Sequence, residues 1–462
     1  MSLSQEQTHL LLRLGFLPRG WAAERIQRLG TAAFVEEQLH PESIPEDPEV
    51  VRRLERLALL RLDTHALARS DDGESRAYVE ALRAHLLRHS RSRRRLAARM
   101  AAFWAHHFYV PADAANVHLV DYLRTLERHA LGGFRELLFA VARHPAMLVY
   151  LNNDSNVKEH PNENYARELL ELHTLGVDGG YTERDVKEVA RALTGWTTHP
   201  RTEGMFYFDP DVHDDGPKRI LGRAFPAGRG IEDGLQLLDL LARHPSSARF
   251  VARKLALWFV SDDPPSALIE RLAQVFQEER GQVRPLLRAL FSAPEFYAAA
   301  GARLRTPLEF LTAALEATGA RFTDDWRLIH TLARLGQPYL GWKTPDGAPT
   351  RAQAWASTGG LLARWQVALE LTQEADGDPE GGWGLLGGLE DRLPDAPTVG
   401  TWVRAAAREL WGREPEEERL ALLLDYAAEG AGPERPLTPA LAGRKRAGLL
   451  ALLLAAPEFQ WI

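Results

Sequence analysis

The 462-residue sequence contains no cysteine. Disulfides, thiolate nucleophiles, zinc–thiolate sites and iron–sulfur clusters are excluded, so any metal would have to be held by His, Asp, Glu or backbone oxygens. No run of about 18 apolar residues occurs, and no segment reads as a membrane-spanning helix. The N-terminus, Met-Ser-Leu-Ser-Gln-Glu-Gln-Thr-His, has no basic stretch followed by an apolar one. With no signal peptide visible, the chain as written is expected in the cytoplasm, or exported if a leader has been removed. Positive charge is not in excess either: the formal net charge is −7, which argues against a nucleic-acid binder. Lysine is scarce, and Lys158, Lys187, Lys218, Lys254, Lys343 and Lys445 stand among a basic complement otherwise made of Arg. Glycine-rich phosphate loops and Gly-x-Ser-x-Gly, His-Glu-x-x-His and EF-hand signatures are all missing.

What is present is apolar periodicity. Hydrophobic residues make up 45% of the chain, enough for a large core, and they recur at helical spacing from Ser4 to Tyr109 with no alternating stretch between. The class expected is all-α, a multi-helical bundle-like body. One two-stranded β-ribbon is expected near Phe206 to Leu221, where Met205-Phe-Tyr-Phe208 and Arg219-Ile-Leu221 flank a polar loop. Residues 1–375 read as a helical core domain holding a motif region at 100–220. Residues 376–400, rich in Gly, Pro and Asp, read as a linker or long surface loop, and 401–462 as a C-terminal helical subdomain packed on the core. The run Arg91-Ser-Arg-Arg-Arg-Leu-Ala-Ala-Arg99 leads into Met100-Ala-Ala-Phe-Trp104 and is read as the solvated start of an otherwise buried helix.

Glu159 to Trp196 carries the most polar groups in need of partners. A helix over Asn164 to Leu175 puts Glu163, Arg167 and Glu171 on one side with Glu168 at the border, and Gly176 stops it. Thr182 and Asp185 are spaced as a capping box that starts a second helix, ended by Gly195. Two readings stay open for the charges: a solvated i, i+4, i+8 ion ladder, or part of a site. His107, bedded in Phe103-Trp104-Ala-His-His-Phe-Tyr109, is either hydrogen-bonded to a backbone carbonyl or a ligand or base. The loop holding His213, Asp214, Asp215 and Lys218 is either a solvent tip or a site element.

These motifs, Phe103-Trp104-x-x-His107-Phe108, Asn162 through Gly176, Tyr181-Thr182 through Trp196, His213 through Lys218 and Arg253-Lys254-Leu255, resemble the bacterial family known as domain of unknown function 1800. The resemblance runs from Thr8 to Phe459. It implies no established activity; it does imply that His107, Glu163, Arg167, Glu168, Glu171, Asp185, Arg191, His213, Asp214 and Lys218 are motif positions. It also suggests export and a sulfatase-like protein as a partner.

Two functions follow. In the first, an enzyme acts on an anionic small molecule, with Glu168, Glu171, His107 and His213 as acid–base groups or as nitrogen and oxygen ligands to a divalent metal such as Zn, Mn or Fe, and Arg167, Arg191, Lys218 and Asp214 holding substrate. In the second, a non-catalytic binding or scaffold protein uses the same residues as a buried ion-pair network. Either way Glu168 is expected to be more buried than Glu163 and paired with Arg191, and the enzyme reading requires His107, Glu168, Glu171 and His213 to converge on one cavity.

Overall fold

The computed structural model describes residues 3–199, 204–322, 325–373 and 393–462, with the backbone alone of Trp383–Leu385. Well over half of the chain is helical, as the apolar spacing requires, and β-structure is confined to short antiparallel ribbons. No helix among the described residues is long and apolar enough to cross a membrane. Of the stretch read as a linker, residues 376–382 and 386–392 lie outside the described residues.

Two hydrophobic cores organise the helices. One gathers residues from Leu10 to Phe296, and the other joins Phe310 to Phe459 with Leu17, Ala81, Leu82 and Leu86 from the N-terminal half. The Gly73–Arg91 and Pro307–Thr318 helices pack together where the cores meet. The Arg95–His107 helix enters this junction, and here the basic run departs from expectation. Arg95 and Arg99, four residues apart and on the side of Leu96 and Met100, are both buried and pair with Glu316 and Glu309. Spacing of i, i+4 along an apolar face carries a guanidinium inward whenever a carboxylate waits there.

The ribbons also pair differently from expectation. β1 (Trp196–Thr198) pairs with β2 (Phe206–Phe208), and β3 (Lys218–Ile220) with β4 (Arg223–Phe225). β5 (Ala320–Phe322) pairs with β6 (Trp383–Leu385). The second hairpin is closed by Leu221 and Gly222, both at positive φ, which is the two-residue turn whose twist suits adjacent strands. The local turn therefore takes β3 before β2 can. Gly195, at φ 78°, lets the chain leave its helix directly into β1; a side chain there would collide with the Asp209 carbonyl.

The central pair lies in the first core. The Glu163–Glu168 α-helix continues as a π-helix over Leu169–Thr174, and Gly176 at φ 82° ends it. The widened turn shows in Leu175 N–H, which donates to Leu170 O at 2.8 Å. The Glu183–Ala192 helix starts at the Thr182 and Asp185 capping box, as its spacing requires. It buries Val186, Val189, Ala190 and Ala192 against its partner.

Candidate functional site

On the first helix the ion ladder forms. Arg167 reaches Glu163 at 3.4 Å and Glu171 at 3.6 Å, and binds both carboxylate oxygens of Glu183 on the next helix at 2.8 Å. Hydrogen bonding to Glu183 raises the Arg167 pKa, so its charge is committed. Glu168 stands apart from the ladder. It is half-buried, makes no ion pair among the described residues, and has its pKa raised by burial and then by the neighbouring charge of Glu171. Glu163 keeps 38% of its side chain exposed.

The expected partner of Glu168 is engaged elsewhere. Arg191 grips Asp214 through Nε at 2.7 Å and Nη2 at 3.0 Å, and also holds Glu188. Arg191 lies in the last turn of its helix, where the loop after Val212 passes, so Asp214 meets it before Glu168 can. That loop is locked down further by Thr194, whose Oγ1 accepts from Asp214 N–H at 2.8 Å. Asn153 donates to Leu193 O and Trp196 O, and Asn156 to Ala190 O, closing the same helix end. Such caps answer the carbonyls that a helix terminus leaves without partners.

His213 is buried, not a solvent tip. Its Nδ1 donates to Thr194 O at 2.7 Å, which leaves Nε2 without a hydrogen-bond partner, 3.6 Å from Asp233 Oδ2. Asp233 in turn receives Lys218 Nζ at 2.7 Å, with 0% of the Lys218 side chain and 1% of the Asp233 side chain exposed. Lys218 also donates to the carbonyls of Asp214 and Gly216. Asp233, on the Glu232–Ala242 helix, is absent from the sequence reading. Its only local signal is one of two acids, Glu232 and Asp233, in the first turn of an apolar helix, a position usually solvated.

His107 lies in a different place. It is 1% exposed and donates through Nε2 to His173 O at 3.0 Å, satisfying a carbonyl at the end of the π-helix. A carbonyl only accepts, so Nδ1 is the unprotonated nitrogen, and it has no partner. Burial, then Lys254 and His173, push the His107 pKa well below its ordinary value. His173, also buried and with Nε2 unpartnered, is pushed down to about 3. Lys254 is half-buried over the Phe250 ring at 5.8 Å, and burial lowers its pKa to about 8 against the opposing pull of Asp346. His173 and Lys254 both stand inside sequence motifs, where an ionisable residue between apolar neighbours was the available signal.

The four residues read as one site have different partners: His107 bonds the His173 carbonyl, Glu168 stands beside the ladder, Glu171 within it, and His213 faces Asp233. Among the described residues no three His, Asp or Glu side chains gather as a metal would require. Arg167, Arg191, Lys218 and Asp214, read as substrate-binding, are matched to partners inside the protein.

No curated protein and no solved structure matches the chain. A family model described as "Protein of unknown function (DUF1800)" matches residues 9–461, so nearly the whole chain, motifs and both cores included, belongs to the DUF1800 family.

Proposed function

We propose that the charged motif is structural and that the protein is a non-catalytic binding or scaffold protein, with the motif loop and β3 locked onto the Glu232–Ala242 helix by a buried ion pair. The observation that carries this reading is the Lys218–Asp233 contact, a fully desolvated pair whose ammonium has three oxygen partners. A substrate group would have to displace one of them. The test is to replace the pair by apolar residues of similar volume, Lys218→Met with Asp233→Leu, a change that buried pairs often tolerate. Complementation of a strain lacking the gene is then measured. A folded double variant that complements supports the structural role; a folded one that does not would sink it.

A second reading keeps acid–base chemistry but moves it to Glu168 and Lys254, both within reach of the Asp346 charge. A carboxyl raised and an amine lowered toward neutrality are the pairing general acid–base work requires. Modification of Lys254 by an amine-selective reagent, followed by peptide mass mapping across pH, should then show a midpoint near 8. A midpoint at the ordinary lysine value removes this reading.

A further inference from the structure

All the buried arginines among the described residues belong to one group at the junction of the two cores. Arg13, Arg95, Arg99, Arg303, Arg305 and Arg364 come from four separate stretches of chain, and each is at most 5% exposed. They share two carboxylates. Glu309 takes Arg99 at 2.5 Å and Arg303 at 2.9 Å and 3.0 Å, and Glu316 takes Arg95 at 3.0 Å. Backbone carbonyls absorb some of the rest: Arg13 donates to Val260 O and Ala299 O, and Arg364 to Arg305 O. Carbonyls satisfy N–H groups but do not cancel charge. Six guanidinium groups against two acidic side chains leave an excess of positive side-chain charge where unpaired charge is costly, and Ile462, whose O accepts from Arg303 N–H at 3.1 Å, stands at the same junction.

A cavity of about 70 Å³ opens in this junction, and its walls include Arg99, Arg305, Glu309, Trp258 and His89. Polar atoms on these walls lack partners: Arg99 Nε, Arg305 Nη1, Trp258 Nε1 and His89 Nε2. The first three are donors. His89 is different, because its Nδ1 donates to His85 O at 2.9 Å and Nε2 is left as an acceptor. Buried polar atoms are almost always paired, so four unpaired atoms on residues that line one cavity point to a partner within it.

We propose that this cavity binds a phosphate-sized oxyanion bearing one hydroxyl, with Arg99, Arg305 and Trp258 donating to its oxygens and His89 accepting from its hydroxyl. Hydrogen phosphate offers that complement of three acceptor oxygens and one donor. The volume is that of a few water molecules, which admits the free ion and leaves no room for a nucleotide. Sulfate has the same shape and charge without the hydroxyl, so it would set an acceptor oxygen against His89 Nε2. This inference does not depend on the role of the Lys218–Asp233 pair, which lies in the other network.

The experiment is thermal unfolding and calorimetric titration of the full chain with inorganic phosphate, at fixed ionic strength set with chloride, beside the same series with sulfate. A saturable rise in Tm with phosphate is expected, with sulfate at least about tenfold weaker, as for one hydrogen bond to a charged group. Arg305→Gln should abolish the saturable response. Because that variant removes a buried charge and can fail to fold, Trp258→Phe provides a second reading: it keeps an aromatic ring under Arg99 and removes only the Nε1 donor. It should fold and weaken phosphate by about tenfold. No saturable response to phosphate, an unchanged response in the folded variants, or sulfate binding as tightly as phosphate would each overturn the assignment.

Discussion

Removing the carboxylate of Asp233 is the sharpest probe of the motif network. Asp233→Ala leaves the Lys218 ammonium, with none of its side chain exposed, facing only carbonyls and the more distant Asp214 carboxylate at 3.8 Å. His213 Nε2 loses the acid at 3.6 Å and Arg229 the one at 3.7 Å. Breaking a buried pair by deleting one partner costs about 3–5 kcal/mol, because the remaining charge is left desolvated. An unfolding entropy of ~2.1 cal/mol/K per residue sums to ~1 kcal/mol/K if the chain unfolds as one unit, so Tm should fall by ~3–5 °C. Urea denaturation gives the free energy directly. The comparison that isolates the pair is a double-mutant cycle with Lys218→Met, in which the two losses should overlap by well over ~1 kcal/mol. Additive losses, or an Asp233→Ala cost under ~1 kcal/mol, would refute the claim that this pair is a desolvated structural lock.

Glu309→Gln should destabilise by a similar ~3–5 kcal/mol in denaturant titration, since Arg99 and Arg303 would then face a neutral amide. Acid should weaken the fold well above the carboxylate range: burial holds His9, His89 and His173 at about 3, so the unfolded chain takes up protons first. That stability is complete above about pH 6.5 and falls as pH drops toward 3, by up to ~1.4 kcal/mol per pH unit for each histidine, and His9→Gln should flatten the fall. Gly234→Ala puts a methyl group into the Trp196 indole, and urea denaturation should show a loss of about 1–3 kcal/mol.

Much of the central motif was legible because its interactions are local. The Thr182 and Asp185 box, the Gly176 stop and the Glu163–Arg167–Glu171 ladder each depend on spacings of three or four residues. The carbonyl bond of His107 is the common fate of a buried histidine, and its identity could be guessed though not its acceptor. Long-range choices were not legible. Nothing near Arg191 says that Asp214 will reach it before Glu168, and nothing near Lys218 points to Asp233. The π-turn over Leu169–Thr174 is also silent in the sequence, since the same apolar residues fit either helix; it reorients the carbonyl end that His107 meets.

Charge balance explains why the anion-binding role falls on residues other than those first read for it. Around the motif, Arg191, Lys218 and Arg229 face Asp214, Glu188 and Asp233, three cations against three anions, so nothing is left over for a ligand. At the junction of the cores six cationic side chains face two acidic ones, and four residues with unpartnered polar atoms line a cavity. A sequence displays charged residues but not how many opposite charges each will meet. Exposed-looking runs such as Arg91 to Arg99 and dense motifs such as His213 to Lys218 are therefore easily exchanged in role: the motif consumes its own charge, and the run carries its charge into the core. On the reading proposed above, the network closed on itself is structural, whereas the one that remains open after folding takes a counter-ion from outside the chain.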